Sequence, residues 1–448
     1  MDTGTTVRRS PAWWFGILLL AIMTLVVVSF YGNMPALSLD PDTPAYIGVA
    51  RKIVHHGFVI DPNRMPGYPV FIIFVLGLAG KTNLQALGYA QAALYILAVI
   101  ELYILLLLMF RRPWAAFLVA ALSGANIVIV SYVKALLSEG LTLVLVTSLA
   151  LAVTLFIRST RPVVLWLVAM LMLALFLTRP EWMYLPPLLF GFLLLIAYRR
   201  GMLRRLLPHA AAGLAVLYLA LGFYIVANGV QNGYYGVTRV QTINLLGKVM
   251  QYHMQNEAPP QYAKVAEVVN QSVSRGITSP WAVIFRGPYP PLRSGNYGLA
   301  AQYSTAIIKA HPIEFLGHSF VLGWQSFLLI GPFRPIPPVF WLPAAMWLST
   351  VALTALITFP VLAVMWWVLL FRHRTAGSRM VEMMCALSLL AFYGLVITTL
   401  GTYTYYTRMH APFDLLMGGV VWGTLVICAI LAYRRIAPPR PYFKPDHD

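Results

Sequence analysis

Ten long apolar runs divide the chain, and short segments rich in arginine separate most of them. Each run has roughly the 20 residues that an α-helix needs to cross the hydrocarbon core of a bilayer. The first run has no small-residue cleavage site of the kind that ends a signal peptide, so we expect it to stay as a transmembrane helix. The pattern therefore predicts ten spans, at residues 13–31, 84–110, 113–132, 138–157, 162–178, 182–198, 206–227, 341–371, 380–401 and 411–433.

The composition leads to the same class. Hydrophobic residues make up 60% of the 448 positions, charged residues make up 10%, and the mean hydropathy is +0.75. A soluble globular protein has about 45–50% apolar and about 25% charged residues. These values exclude an ordinary soluble enzyme, a disordered tail and a disulfide-built secreted domain. We predict an all-α polytopic membrane protein.

The net charge of +18 is concentrated in the short loops between the apolar runs. When Arg8 and Arg9 are assigned to the cytoplasm, every loop on that side has at least two basic residues. The short turns on the other side, at 133–137, 179–181 and 402–410, have one each. This distribution is the positive-inside bias of membrane proteins, and it differs from the basic groove of a nucleic-acid-binding protein. We therefore predict that both termini are cytoplasmic and that nucleic acid is not a partner.

Two long segments fall on the outer side in this topology, at 32–83 and 228–340. Within the first, residues 67–80 are apolar but too short for a normal crossing, and a crossing there would invert every later loop. We predict that they form an interfacial or re-entrant piece. The alternative is a further span, paired with a misassigned part of the long run at 341–371.

The second outer segment is too long for a simple connector, and long loops of this kind usually carry function. It contains three helix-like stretches near 241–256, 260–274 and 298–310, and an apolar stretch at 313–331 that we expect on the membrane surface. The predicted division of the chain is an N-terminal transmembrane region, an outer loop domain and a C-terminal transmembrane region with a cytoplasmic tail, at 1–227, 228–340 and 341–448.

The first outer loop has the most informative sequence, SLDPDTPAYIGVARKIVHHGFVIDPNRMPGYPVF. Asp40 and Asp42 follow the first span closely. Thr43 and Pro44 are residues that favour a helix start, and the residues after them form an amphipathic helix. This helix should lie along the outer membrane surface and hold both carboxylates at the boundary between water and lipid.

Two motifs in this loop resemble those of the GT-C superfamily of polytopic glycosyltransferases. They are D-x-P-x-Y-I-x-x-A-R from Asp42 to Arg51 and R-x-P-G-Y-P from Arg64 to Pro69. The pattern is most similar to the bacterial group that contains the aminoarabinose and protein mannosyl transferases. The similarity is sharp only over about 38–75, and it is weaker at LLSEGL (136–141), TRPEW (178–182), KAHPIEFL (309–316) and YYTRMHAP (405–412).

The resemblance implies a reaction, a location and a catalytic acid. Such enzymes transfer one sugar from a polyprenyl-phosphate carrier to an envelope glycan, lipid or protein on the outer face of the bacterial inner membrane. The acid in the first outer loop serves as the base or orients the acceptor. Asp42 has the family spacing from Tyr46, but the motif reads DPD where the family more often has DE or DD, so the choice between Asp42 and Asp40 stays open.

The chemistry of the reaction points to the same residues. A carboxylate can take the proton of an acceptor hydroxyl, and Arg binds phosphate with paired hydrogen bonds. The traced topology puts acids and bases together at one membrane level. We expect Asp42, helped by Asp40, to act on the acceptor. The expected donor-phosphate ligands are Arg64, Arg408, Lys134 and Arg179, and the expected substrate-binding residues are Tyr46, Tyr68, Glu139, Glu181, Tyr405 and His410.

Each of these residues also has a structural interpretation. The two aspartates are able to cap a helix, and Glu139 and Glu181 are able to pair with Lys134 and Arg179 as salt bridges. The aromatic turn around Arg408 is typical of an interfacial belt. No cofactor is required by the pattern. A Mg²⁺ or Mn²⁺ ion bridging carboxylate and phosphate would suit hard oxygen ligands, but no spacing demands one, and we assign no metal ligand.

Other classes of membrane protein remain as alternatives. A P-loop, a dinucleotide-binding glycine motif and H-E-x-x-H are all missing from the sequence, which disfavours a nucleotide-driven pump and a zinc protease. A lipid-linked glycan transporter would show inverted repeats and polar mid-membrane helices. An O-antigen polymerase or ligase would use arginines of a large outer loop, where Arg239, Arg275, Arg286 and Arg293 stand. Aminoarabinose, arabinofuranose, mannose, glucose and galactosamine are all open as the sugar.

Overall fold

The structure, a computed structural model, describes residues 12–36, 38–57, 59–286, 290–293, 297–326, 336–340, 359–372, 379–404 and 406–436. Among these residues there are α-helices, short 3₁₀ turns and no β-strand, so the all-α prediction is confirmed. In the described part of the chain, seven helices are long and apolar enough to cross a membrane, at Ala12–Gly32, Leu84–Phe110, Glu139–Ser159, Pro180–Arg199, Leu203–Asn232, Arg379–Gly401 and Arg408–Tyr433. The chain is a polytopic membrane protein.

The helices of the first half extend from the first span to the end of the seventh predicted one. In chain order they are α1 (Ala12–Gly32), α2 (Thr43–His56), α3 (Gly67–Ala79), α4 (Leu84–Phe110), α5 (Pro113–Gly124), α6 (Ile127–Lys134), α7 (Glu139–Ser159), α8 (Pro162–Thr178), α9 (Leu185–Arg199) and α10 (Leu203–Asn232).

The second half contains the helices of the outer loop and the last spans. They are α11 (Arg239–Gln251), α12 (Ala263–Ser274), α13 (Pro280–Arg286), α14 (Pro290–Arg293), α15 (Tyr297–Ala310), α16 (Pro312–Ser326), α17 (Phe359–Arg372), α18 (Arg379–Gly401) and α19 (Tyr406–Ile436). Helices α11, α12 and α15 confirm the three helix-like stretches predicted for the loop.

Three predicted spans differ from a single long helix. The run at 113–132 is a pair, α5 and α6, bent by 58°. The bend follows from Asn126, whose side chain accepts hydrogen bonds from the backbone N–H groups of Val128 and Ile129 and so caps a new helix. The run at 162–178 is a 17-residue helix, shorter than a typical crossing. Of the run at 341–371, the structure describes only the part in α17, and residues 341–358 lie outside the described residues.

Loop ends that are distant in sequence meet at one end of the helix bundle. A β-bridge joins Ser38 to Ala135. The Thr43 hydroxyl donates to the Leu136 carbonyl oxygen at 3.1 Å. Arg408, at the start of α19, bonds to Glu139, at the start of α7. This end therefore holds the connections that we assigned to the outer side.

The opposite end of the bundle is held by arginines of the predicted cytoplasmic loops. Arg200 pairs with Glu382, and its second guanidinium nitrogen donates to the Ile157 carbonyl at 2.5 Å. Arg199 donates to the Leu370 carbonyl at 2.6 Å, and Arg158 to the Leu108 carbonyl at 3.2 Å. The grouping of loop ends agrees with the predicted alternation, whereas the end that faces the cytoplasm stays a prediction.

The second outer segment has an apolar core of its own. Ile243, Leu246, Val269, Ala300 and Tyr303 are among its fully buried members. One strong link to the bundle is Lys248 of α11, whose ammonium donates to the Thr399 carbonyl and, at 3.0 Å, to the Tyr406 hydroxyl. Burial lowers the pKa of Lys248 to about 7. These contacts fix α11 against the ends of α18 and α19, where the cavity described below opens.

Candidate active site

The start of α2 orients the two predicted aspartates differently. Asp42 is the N-cap residue, yet its side chain makes no capping hydrogen bond. Asp40 accepts a hydrogen bond from the backbone N–H of Asp42 at 2.9 Å and is only 6% exposed. Asp40 therefore shapes the turn, and the Asp42 carboxylate is left to face other groups.

Arg64 reaches Asp42 from the R-x-P-G-Y-P motif. One Asp61 carboxylate oxygen accepts the backbone N–H of Arg64 at 3.1 Å, and the Arg64 guanidinium lies 5.1 Å from the centre of the Tyr46 ring and pairs with Asp42. The motif is fixed against the bundle at Gly67, where a Cβ atom would lie 2.7 Å from the Leu177 carbonyl oxygen. Only glycine allows this approach, which explains the glycine in the motif.

Arg408 is the centre of the charged cluster. Its Nε donates to Glu139 Oε1 at 2.5 Å, and its Nη1 lies 3.1 Å from Asp42 Oδ2 and 3.6 Å from Asp40 Oδ1. The Arg408 side chain is 4% exposed. One arginine from the C-terminal part of the chain thus contacts three carboxylates from the N-terminal part.

Arg179 binds the same glutamate from another direction. Its Nη2 lies 2.7 Å from Glu139 Oε1, its Nε donates to the Ser138 hydroxyl at 3.0 Å, and its Nη1 lies 3.4 Å from Glu181. Glu139 is 1% exposed, and its Oε2 has no hydrogen-bond partner among the described residues. A buried carboxylate with two guanidinium partners is costly to disrupt, because loss of one partner leaves an uncompensated charge.

The electrostatics of the cluster keep Asp42 ionised. Burial raises the pKa of Asp42, but the charges of Arg64 and Arg408 and their hydrogen bonds lower it by more, so that the pKa lies below its ordinary value. Asp42 is also the most exposed of the three carboxylates bound by Arg408, with 32% of its side chain accessible. An ionised, accessible carboxylate between two guanidinium groups is able to orient a hydroxyl and to accept its proton.

A cavity of about 370 Å³ opens beside this cluster. Its wall combines the first outer loop, the connection between α8 and α9, the second outer loop and the junction of α18 with α19. Six of the residues predicted from the sequence line it: Asp42, Tyr46, Arg64, Arg179, Glu181 and Arg408. Asp40 and Glu139 lie behind the lining and contact it through Arg408.

Three other predicted residues lie away from the lining. Lys134 donates to the Ala36 carbonyl at 2.5 Å and lies 5.5 Å from the centre of the Tyr31 ring. Tyr68 is fully buried and donates to Gln91 at 3.1 Å, and His410 bonds through Nδ1 to Asp414 at 2.8 Å. Tyr405 lies outside the described residues. The cluster therefore brings together fewer basic residues than the sequence predicted.

Sequence reasoning missed the wall contributed by the second outer loop. This wall includes Thr238, Gln241, Asn244 and Trp281, and it is continued by Thr402 and Tyr403 between α18 and α19. The only signal in the sequence was the i, i+3 spacing of Gln241 and Asn244 within a predicted helix, since side chains at that spacing share a face. Nothing in that pattern specified which face meets the first outer loop.

The described residues do not form a divalent metal site. They contain no group of three or more His, Cys, Asp or Glu side chains arranged to hold a metal. Each Asp42 oxygen is already within bonding distance of a guanidinium group, and so is Glu139 Oε1. This donor set suits arginine pairing, and we derive no step through a metal.

Comparison with known proteins identifies the fold. No family model and no curated protein matches the chain. Among solved structures, the oligosaccharyltransferase of Archaeoglobus fulgidus tethered with an acceptor peptide matches 95% of this chain and 51% of its own, with 12% identity and a TM-score of 0.50. The same enzyme in the apo form matches 95% of this chain and 53% of its own, with 13% identity and a TM-score of 0.47.

The chain spans about half the length of these neighbours. The match extends over 95% of the present chain. The chain therefore has the fold of the matched part of this oligosaccharyltransferase, and the resemblance drawn from the sequence is confirmed at the level of the fold.

Proposed function

We propose that the protein is an integral membrane glycosyltransferase that moves a single sugar from a polyprenyl-phosphate carrier to an acceptor glycan, lipid or protein. In this proposal it acts on the outer face of the bacterial inner membrane, with both termini in the cytoplasm. The observation that carries the proposal is the accessible Asp42 carboxylate. It lies between Arg64 and Arg408 and faces the cavity.

In the proposed reaction Asp42 acts on the acceptor. The acceptor oxygen attacks the anomeric carbon of the donor sugar, and Asp42 takes the proton of the acceptor hydroxyl. The bond between the anomeric carbon and the phosphate oxygen breaks, and the lipid phosphate leaves with the bonding electrons. The donor already carries a good leaving group, so positioning and charge stabilisation provide most of the catalysis.

Arg64 is the arginine best suited to leave Asp42 and bind the donor phosphate instead. It is 17% exposed at the cavity wall, and its Nε has no partner among the described residues. Arg408, in contrast, is 4% exposed and fixed by Glu139. When the phosphate draws Arg64 away, Asp42 loses one of the charges that lower its pKa and becomes a stronger base.

The size of the cavity favours one sugar over a long oligosaccharide. Its volume of about 370 Å³ is near the lower limit of the roughly 300–1,000 Å³ that small-molecule pockets usually have. A sugar phosphate head group suits such a volume, and the apolar tail of the carrier would lie in a groove between transmembrane helices. The arginines at the cavity come from the first loop and the helix ends, which favours a transferase over an O-antigen ligase that depends on arginines of the second loop.

Binding of the carrier is tested by thermal unfolding of the detergent-purified protein with polyprenyl phosphate or with the matched polyprenol. A ligand that binds only the folded state stabilises it, by about 2.7 kcal/mol at a hundredfold excess over its Kd. We expect polyprenyl phosphate to stabilise the protein and polyprenol to have no effect. The stabilisation should be weaker in Arg64→Ala. It should be unchanged in the control Arg275→Ala, because Arg275 is an exposed residue at the C-terminal end of α12 and does not line the cavity. An equal response to both lipids would contradict a phosphate site.

Turnover is tested with Asp42→Asn and Asp40→Asn. We expect Asp42→Asn to abolish sugar transfer while it still binds polyprenyl phosphate, because the amide keeps the shape of the side chain but cannot take a proton at neutral pH. Asp40→Asn should retain part of the activity, since Asp40 contacts the backbone of the turn. Preserved transfer in both variants would contradict the assignment, and a transporter would be indifferent to either change.

A further inference from the structure

The cavity has one charged side and one uncharged side. All the charged side chains that line it within the described residues, namely Asp42, Arg64, Arg179, Glu181 and Arg408, come from the first outer loop, the connection between α8 and α9, and the start of α19. Among the described lining residues, those of the side formed by α11, by α13 and by 401–404 at the end of α18 are all uncharged. We call this side the neutral wall, and its polar and aromatic members are Thr238, Gln241, Asn244, Trp281, Thr402 and Tyr403.

The neutral wall presents amide groups at a fixed position. Gln241 and Asn244 are three residues apart on α11 and so share a helix face. The Gln241 amide donates to the Tyr184 hydroxyl at 3.0 Å, which orients it, and the Asn244 amide has no hydrogen-bond partner among the described residues. Because each amide offers both a donor and an acceptor, such a pair is matched to the hydroxyl groups of a carbohydrate.

An aromatic ring completes this wall. Trp281 of α13 lines the cavity and stacks on Phe285, with ring centres 5.7 Å apart and an interplanar angle of 7°. The stack holds the indole in one orientation. An apolar ring face beside hydroxyl-binding amides is what one face of a sugar ring requires, since the sugar has C–H groups on its faces and hydroxyls on its edge.

The described residues of the neutral wall offer no opposite charge to a charged substituent. The two carboxylates that line the cavity are each paired, Asp42 with Arg64 and Arg408, and Glu181 with Arg179 at 3.4 Å. An ammonium or a carboxylate on the sugar would lose water at the neutral wall without gaining an opposite charge, and such a loss is unfavourable.

We propose that the neutral wall binds the transferred sugar and that this sugar is uncharged, with hydroxyl or N-acyl substituents. This inference rests on the proposed function, because it takes the phosphate of the donor to lie at Arg64. The anomeric carbon is bonded to that phosphate, so the sugar ring begins next to the charged side and extends towards Asn244 and Trp281. This arrangement excludes two classes of sugar: amino sugars with a free ammonium group, and uronic acids.

The test compares donors that share one polyprenol and differ only at the sugar. Apparent affinities are measured by thermal unfolding for polyprenyl phosphate, its hexosyl ester, its 4-amino-4-deoxyhexosyl ester and its hexuronosyl ester. We expect the hexosyl donor to bind about tenfold more tightly than either charged donor, as a charged group left without a partner weakens binding by at least this factor. Equal or tighter binding of a charged donor overturns the inference.

Two substitutions test whether the neutral wall causes the preference for the uncharged donor. Asn244→Asp places a carboxylate there, and we expect it to reverse the preference, so that the amino-sugar donor binds more tightly than the hexosyl donor. Gln261→Glu is the matched control, because it also replaces an amide with a carboxylate, on an exposed residue of the same outer segment that does not line the cavity. The control should keep the wild-type preference.

The remaining outcomes separate the inference from the proposed function. An unchanged donor preference in Asn244→Asp, in a variant that unfolds at the wild-type temperature without ligand, overturns the inference. If Asn244→Asp fails to fold, Asn244→Ala replaces it, and this variant should bind the hexosyl donor no better than bare polyprenyl phosphate. If bare polyprenyl phosphate binds no better than polyprenol, the proposed function fails, and the inference fails with it.

Discussion

Asp42 is held between two arginines from opposite parts of the sequence. Arg64 lies 22 positions away and Arg408 lies 366 positions away, and both bond to the Asp42 carboxylate. The two arginines differ in freedom, because Arg408 is also held by Glu139 and Arg64 is partly exposed at the cavity. At the scale of single residues, the site is therefore a carboxylate with one fixed and one exchangeable cationic partner.

This difference predicts how the pH dependence of the reaction responds to mutation. Asp42 must be ionised to accept a proton, and its pKa lies below its ordinary value, so the wild-type protein should keep its activity as the pH falls towards 5. Removing one cation raises the pKa of Asp42, because an adjacent opposite charge lowers a carboxyl pKa by about 1–3 units. In Arg64→Ala we expect the acid limb of kcat/KM for the donor, which reports the enzyme before the donor binds, to move up by about one pH unit.

The conservative variant is the control for this prediction. Arg64→Lys keeps the positive charge, and its acid limb should stay near that of the wild type even if its affinity for the donor falls. An acid limb in Arg64→Ala that coincides with the wild-type limb would show that Asp42 is not the group that titrates.

Whole helices meet at this site because small residues allow close packing. Helices α18 and α19 approach at Gly394, where a Cβ atom would lie 2.0 Å from Cγ of Phe413. The Phe413 ring is 1% exposed and stacks on Trp182, with ring centres 5.1 Å apart, so it has no room to retreat. Helices α18 and α19 also carry Thr399 and Tyr406, which bind Lys248, and Arg408. The distance between these two helices therefore sets the geometry of the cavity wall.

We predict that Gly394→Ala destabilises the protein by about 1–3 kcal/mol, the usual effect of overpacking a closely packed interior. Thermal unfolding in detergent measures this change. Gly222→Ala in α10 is the matched control, because among the described residues no atom outside the local backbone of α10 lies within 4 Å of its added methyl group. We expect that control to be neutral or slightly stabilising, as alanine favours a helix over glycine by roughly 0.5–1 kcal/mol. Similar melting temperatures for both variants would contradict the tight contact.

At the scale of the whole molecule, the bundle has two chemically different ends. One end gathers Asp42, Glu139, Arg179 and Arg408 around the cavity. The other end has arginines that bond to helix-terminal carbonyl groups and to Glu382. The positive-inside bias assigns the arginine-rich end to the cytoplasm. It therefore predicts that the cavity, at the other end, faces outwards.

Cysteine labelling of intact cells tests this orientation. In a background with Cys385→Ser and Cys428→Ser, single cysteines at Lys81 and Gln261 should react with a membrane-impermeant reagent. Cysteines at Arg111 and Arg204 should react only after permeabilisation. Protection of positions 81 and 261 together with labelling of positions 111 and 204 from outside would contradict this topology, because either 67–80 crosses the membrane or the whole orientation is inverted.

The sequence predicted the fold class and several elements of the site, for definite physical reasons. A membrane span needs a long apolar run, so the periodicity and length of the runs identify it without tertiary information. The bend between α5 and α6 escaped prediction, because Asn126 acts as a cap only when its side chain turns back to the helix that follows. Lys134 was placed at the site from its membrane level alone, yet it bonds to the Ala36 carbonyl.

By itself, the sequence determined the membrane class, the alternation of the basic loops and the position of two carboxylates just after the first span. These features depend on residues that are close together in the chain. Only the tertiary structure decided which acid faces the cavity, that Arg408 joins Asp40, Asp42 and Glu139, and that Asn244 and Trp281 form the opposite wall. Such contacts join residues hundreds of positions apart, and they are set by how helices pack and by where a long loop folds back, which no local pattern of apolar and polar residues specifies.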